Sequence, residues 1–147
     1  MNTFTRIHLF LVALITLSIA AVADVTLLGS GSGLDEADDS SFSFTVTVPT
    51  GTQLAVVGVT NRNARNATSV SLGGSTLTFV INSISSPNGD MDERVQLYYL
   101  IDPPAGSQTV SVTLSGNSRH KAAGCLLLGG VNTAAMAATA KKADEND

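Results

Sequence analysis

The chain of 147 residues has one cysteine, no tryptophan and two histidines. A single cysteine excludes a disulfide framework and any zinc site built from several thiolates. Charged side chains make up 14 % of the chain, well below the roughly 25 % usual in soluble domains. Twelve acids against eight bases give a net charge of −4. Nucleic acid is excluded as a partner on that count, because phosphate binding needs clustered Lys and Arg. Beyond residue 20 no apolar run approaches the ~20 residues that span a bilayer. No helical period is convincing before residue 130. What the chain does have is 44 % apolar residues and 13 glycines, with Ser and Thr supplying much of its polarity. That composition can build a core and is not that of a disordered chain.

The N-terminus reads as an address. Arg6 precedes the apolar stretch Leu9–Ala20, and Ala21–Val22–Ala23 stands before Asp24. A weakly positive start, a short apolar helix-forming segment and a small-residue end form a secretory signal. Cleavage after Ala23 is expected, leaving a soluble product with no membrane contact of its own. The first residue after the cleavage point is Asp24 and not a cysteine, which excludes a lipid-anchored form. The organisation expected is a signal peptide helix over 1–23, a β-sandwich over 24–131 and an alanine-rich polar tail over 132–147. The localisation expected is secreted or extracellular, with periplasm or cell surface as variants of the same address.

Within the expected mature chain the period is two. Phe42, Phe44, Val46 and Val48 alternate with Ser41, Ser43, Thr45 and Thr47, the pattern of a half-buried strand. Pro49–Thr50–Gly51 supplies turn chemistry. Leu54–Val59 is apolar throughout, which predicts a strand buried on both faces. Val70 and Leu72 lead into Gly73–Gly74, and Leu77, Phe79 and Ile81 continue the alternation, predicting a hairpin. Val95, Leu97, Tyr99 and Ile101 alternate after the polar loop 85–90; Val110, Val112 and Leu114 alternate after Asp102–Gly106. Ala122–Leu128 is a run of small residues and leucines. With a short first strand at Val25–Leu28, about eight strands are expected, in an antiparallel two-sheet sandwich. The tail Asn132–Lys142 reads as a frayed, weakly helical segment, since a lone short helix is marginal in water.

Four stretches occur in an order that is itself informative: Val48–Pro49–Thr50–Gly51–Thr52–Gln53–Leu54, Ser71–Leu72–Gly73–Gly74–Ser75–Thr76–Leu77, Leu97–Tyr98–Tyr99–Leu100–Ile101–Asp102–Pro103–Pro104–Ala105–Gly106, and Thr109–Val110–Ser111–Val112–Thr113–Leu114–Ser115–Gly116. Together, over about residues 40–131, they resemble a β-sandwich module of bacterial secreted and cell-surface proteins and of phage tail proteins. The resemblance implies a jelly-roll or immunoglobulin-like sandwich used as an extracellular building or binding block. It carries over no catalytic motif. Such modules continue with further strands past the segment matching Gly129–Gly130–Val131, so the sequence reads as truncated at its C-terminal end. One consequence would be an open sheet edge, available for self-association or for a partner strand; the alternatives are that the tail covers this edge or that eight strands close the fold.

Chemistry is sparse, and the expectation is a protein that is not an enzyme, with no catalytic, cofactor-binding or metal-binding residue assigned. His120, in Ser118–Arg119–His120–Lys121, is the one histidine a hydrolase could use. No Gly-x-Ser-x-Gly elbow accompanies it, and a solvated loop histidine is the simpler reading. Gly29–Ser30–Gly31–Ser32–Gly33 lacks the Lys-Ser/Thr and helix of a phosphate loop and reads as a flexible stretch near a terminus. Two acidic clusters are candidates for structural calcium: Asp35, Glu36, Asp38 and Asp39, and Asn88, Asp90, Asp92 and Glu93. A solvated turn is the alternative for each. Tyr98 and Tyr99 are neighbours on one strand, so only one can face outward as a sugar platform. Cys125 falls within an apolar strand, where a buried and inert thiol is expected. The favoured function is a non-enzymatic structural or adhesion-type module. The alternatives are a carbohydrate-binding module of the cell surface and a hydrolase using His120.

Overall fold

A computed structural model describes residues 24–85 and 92–135, so the expected signal peptide, 1–23, the loop residues 86–91 and the end of the tail, 136–147, lie outside the described residues. Among the described residues nine strands form: β1 (Thr26–Asp35), β2 (Asp39–Val48), β3 (Leu54–Arg62), β4 (Ala67–Leu72), β5 (Ser75–Thr76), β6 (Thr78–Ser85), β7 (Glu93–Ile101), β8 (Gly106–Ser118) and β9 (Lys121–Gly129). They make two antiparallel sheets, one in the order β1-β9-β3-β7-β6 and one in the order β2-β8-β4-β5. A single turn of 3-10 helix, Thr133–Ala135, follows the last strand.

The alternating segments fold as their pattern dictates. Along β2, Val46 and Val48 are buried, Phe42 and Phe44 pack beside them, and the Ser/Thr residues between them are exposed. Val110, Val112 and Leu114 of β8 and Val70 and Leu72 of β4 turn to the same side. Facing them from the five-stranded sheet are Ala55, Val57 and Val59 of β3, Tyr98 of β7, and Ala123, Cys125 and Leu127 of β9. These residues form one continuous apolar layer between the sheets. At about 1.5–3 kcal/mol for each large side chain fully buried, this layer is the main source of stability.

Three expectations change. The first strand does not stop at Leu28 but runs to Asp35, and the glycine-serine run is its interior, with Gly29, Gly31 and Gly33 paired opposite Leu127, Cys125 and Ala123. These glycines face inward. A Cβ on Gly31 would stand 2.9 Å from a Val46 methyl, and one on Gly33 would stand 2.8 Å from Cβ of Phe44. The glycines let β1 approach β2 closely, so a run that looks loose in sequence is packed in the fold.

The Gly73–Gly74 turn does form, with both glycines at positive φ, but its second arm pairs over only two residues, Ser75 and Thr76. The chain then crosses to the other sheet, where β6 pairs with β7, and Leu77 is buried on the way. A register shift between Phe79 and Ile81 places Phe79 opposite Tyr98 and Ile81 opposite Leu97. One extra residue reverses the facing of everything beyond it, so Phe79 and Ile81 point to opposite faces despite their alternation. The third change concerns β3. Its inner residues are sealed, but outward-facing Val56 and Gly58 are only half-buried, because no layer of the described chain covers that side.

The close approach of β1 and β2 predicts an asymmetric pair of substitutions. Gly33→Ala should lower the unfolding free energy in urea by about 1–3 kcal/mol through overpacking against Phe44. Gly29→Ala, whose new methyl would stand 3.5 Å or more from its nearest neighbours, an ordinary contact, should cost much less.

Candidate functional site

The polar residues singled out from the sequence gather at one end of the molecule, where the β1–β2, β3–β4 and β8–β9 connections meet. The Asp35–Asp39 segment and the Arg119–His120 turn are more than eighty residues apart in the chain, yet they pair side chain to side chain. Arg119 Nε lies 4.0 Å from Asp38 Oδ2, and His120 Nδ1 lies 3.9 Å from Glu36 Oε1. Both pairs are well exposed, so each contributes little, at most about 1 kcal/mol.

Lys121 is different. Its side chain is completely buried at the base of the acidic loop. The ammonium donates to Ala37 O at 2.7 Å, Ser118 O at 2.9 Å and Asp39 Oδ1 at 2.8 Å, and Asp35 Oδ2 lies 3.6 Å away. Three N–H donors thus meet three oxygens, which is what allows an ammonium to remain buried. The hydrogen bond from Lys121 holds the Asp39 carboxyl below its ordinary range, with the backbone bond from Ser41 to Asp39 adding to the effect. The acidic run read as a calcium candidate is therefore wrapped around a cation that the chain supplies itself.

The rest of this end is held by polar clasps. Asn61 is buried, and its side chain both donates to Arg65 O at 3.0 Å and accepts from Arg65 N at 2.8 Å. Between them Asn63 and Ala64 take positive φ, a conformation uncommon for residues other than glycine. Ala64 is tied on both sides, donating its N–H to Asp92 O and accepting from Arg94 Nε at 2.8 Å. Of the second acidic cluster, Asn88 and Asp90 lie outside the described residues. Glu93 opens β7 as the cross-strand neighbour of Arg62.

Asp38, Arg62, Asn63, Arg119 and His120 line a cleft of about 250 Å³ at this end. His120 sits at φ 57° in the β8–β9 turn and is half-exposed. Ser118, the hydroxyl closest to it in sequence, is fully buried, with Oγ 2.6 Å from Arg62 O and 3.0 Å from Arg119 O. That hydroxyl donates into the turn and is shut away from solvent. Among the described residues no group of three or more His, Cys, Asp or Glu side chains is placed to hold a metal ion.

A second cleft, of about 360 Å³, opens along the flank between the sheets and includes Val70, Leu77, Phe79, Gln96 and Tyr98. Tyr98 is the inward member of the tyrosine pair. It is buried, stacks edge-on against Phe79 with ring centroids 5.6 Å apart, and donates its hydroxyl to Ala67 O at 3.1 Å. Burial raises its pKa. Tyr99 is the ring on the outward face, so any sugar platform rests on Tyr99 and not on Tyr98. Gln96, which the sequence reading did not single out, accepts from Ala67 N at 2.7 Å and ties β7 to the start of β4. A buried Gln in an otherwise apolar strand is the signal that marks it.

Cys125 points into the core, and desolvation pushes its thiol up to about 11. No family model matches the chain, and a comparison with curated proteins finds no match either.

Two measurements follow from this geometry. Asp39 has a depressed folded pKa, so its contribution is fully present above the unfolded value of 3.8 and is lost as pH falls through the folded value. Urea midpoints taken downward from pH 5 should therefore drop below about pH 4, and Lys121→Met should flatten that drop. At pH 7 the same substitution leaves the buried Ser118 O without its donor and should cost about 1–3 kcal/mol. Iodoacetamide at pH 8 should leave Cys125 unmodified in the folded protein and alkylate it fully in denaturant, since a thiol with a pKa near 11 holds almost no thiolate there.

Proposed function

We propose that the chain is a non-enzymatic, extracellular module of structural or adhesion type, built as a jelly roll of the kind its sequence resembles in bacterial secreted and cell-surface proteins. The strand order supports the finer reading of the fold. From β1 to β4 the chain alternates between the five-stranded and the four-stranded sheet, and it alternates again from β7 to β9. An immunoglobulin-like sandwich instead keeps its first two strands in one sheet, whereas double-sheet Greek keys are the mark of a jelly roll.

The observation that carries the functional reading is how the charges of the loop end are engaged. Lys121 serves Asp39 and two carbonyls, Arg119 faces Asp38, and His120 faces Glu36. A catalytic centre leaves an acid, base or nucleophile aimed at a substrate; here the groups are aimed at one another. The extended surface on offer lies along the strands. One edge is β1, whose stretch Thr26–Leu34 carries no charged side chain, and such an edge suits a partner strand. The Ala21–Val22–Ala23 end of the leader supports an address outside the cell. Carbohydrate binding remains the alternative of a different class, resting on Tyr99. For a hydrolase using His120, the neighbouring Ser118 hydroxyl is buried and turned to Arg62 O and Arg119 O rather than to the imidazole.

N-terminal sequencing of the chain recovered from the medium or envelope of the producing cell tests the address: Asp24 should be the first residue. Chain found in the cytosol with Met1 intact rejects it. On a panel of ester, peptide and glycoside substrates, the wild type and His120→Ala should be equally inactive, and turnover that His120→Ala abolishes rejects the non-enzymatic reading.

A further inference from the structure

We propose that the outer face of the five-stranded sheet is a homodimer interface, on which two copies of this chain pack sheet to sheet about a two-fold axis. The inference does not depend on the functional reading above.

The two outer faces of the molecule are unlike. That of the four-stranded sheet is hydroxyl-rich, with Ser43, Thr45, Ser111 and Thr113 exposed. That of the five-stranded sheet presents Val56, Val95, Leu97, Tyr99 and Leu126, with Leu126 47 % and Val95 49 % exposed. No ionised side chain stands among them before Arg62 and Glu93 at one end. Single exposed apolar residues are ordinary, but a continuous apolar sheet face marks an interaction surface.

Its shape points to a close approach. Gly58 and Gly124 are direct cross-strand partners on the two inner strands β3 and β9. Together they open a groove of about 610 Å³, bordered by Ser30, Ser32, Val56, Leu97 and Leu126. Glycine weakens a strand interior and is found where another backbone or a ligand comes close. At Gly124 nothing in the chain itself requires it: an added Cβ would meet no atom within 4 Å, and φ is not in the left-handed region. The glycine therefore leaves an open space on the outer face that another molecule can enter.

A second copy fits better than other occupants. The groove lies directly beside the ridge of Leu126, so a two-fold pairing seats each copy's Leu126 in the other's groove, as an isologous contact demands. Five strands about 4.8 Å apart and nine residues long, at about 3.4 Å per residue, make a face of roughly 600 Å². That approaches the ~800 Å² per partner of a stable interface. Homodimer interfaces are the apolar kind. An anionic lipid surface would call for a basic rim, and this chain carries a net −4.

Sedimentation equilibrium of the purified full chain, from low to high micromolar, tests the proposal. The wild type should sediment at twice the chain mass. Leu126→Lys and Gly124→Lys should each weaken association by roughly tenfold or more, the loss expected for a residue central to an interface. Thr113→Lys, on the opposite outer face, should leave it unchanged. Gly124→Lys has room for its side chain within the chain's own structure, so a folded circular dichroism spectrum is expected even if Leu126→Lys folds poorly. A wild type that stays monomeric at high micromolar overturns the proposal, whether residues 136–147 or lipid vesicles then prove to cover the face. A dimer that survives both lysines overturns it too, and moves the contact elsewhere, such as to the β1 edge.

Discussion

A sheet can seal its apolar side chains only where another layer faces it, and here two sheets share one such space. Ala55, Val57, Val59, Cys125 and Leu127 on one side and Val46, Val110, Val112 and Leu72 on the other close it completely. Everything else in the molecule depends on that closure. It is tight at β1, where Gly31 and Gly33 stand in place of side chains so that Val46 and Phe44 can fill the gap. Because the five-stranded sheet has apolar residues on both sides and, among the described residues, a covering layer on only one, the same closure leaves a second apolar face outward. The hydroxyl-rich exterior of the four-stranded sheet shows that the chain does not lack polar residues for such positions.

The loop end follows a different physics. Its exposed side-chain pairs, Arg119–Asp38 and His120–Glu36, are weak in water. Lys121 is the firm element, because a buried ammonium is tolerated only when each N–H finds an oxygen. The acidic loop supplies Asp39 and the Ala37 carbonyl, and the end of β8 supplies the Ser118 carbonyl. The cation thereby ties the start of β2 to the turn between β8 and β9, and fixes the frame around which Arg119 and His120 are displayed.

Much of the fold was legible along the chain. The alternation in β2 and β8 placed Phe42 to Val48 and Val110 to Leu114 on the inner face, and the small-residue run of β9 marked a core strand. Less legible were the features that depend on a partner strand. The bulge at Phe79–Ile81 reverses facing without any change in the period of the sequence. The glycine-serine run read as loose because the side chains it accommodates, Phe44 and Val46, lie on a different strand. At the candidate site the residue types were visible, but not their pairing: Asp35 to Asp39 offered oxygens for a cation, and the cation that meets them comes from Lys121 on β9. Gln96 and Asn61, both buried and both clasping backbone, had no neighbouring pattern to announce them.

By itself, then, the order of residues determined that this is an all-β chain, where most of its strands run and which residues of β2 and β8 point inward, because period-two alternation is a local property of extended backbone. Only the tertiary structure decided the order of strands in the two sheets, the burial of Lys121 and the exposure of Val56, Leu97 and Leu126. Those are decided by which surfaces meet. A local pattern records that a side chain is apolar, while the number of layers available to cover it is a property of the assembled fold.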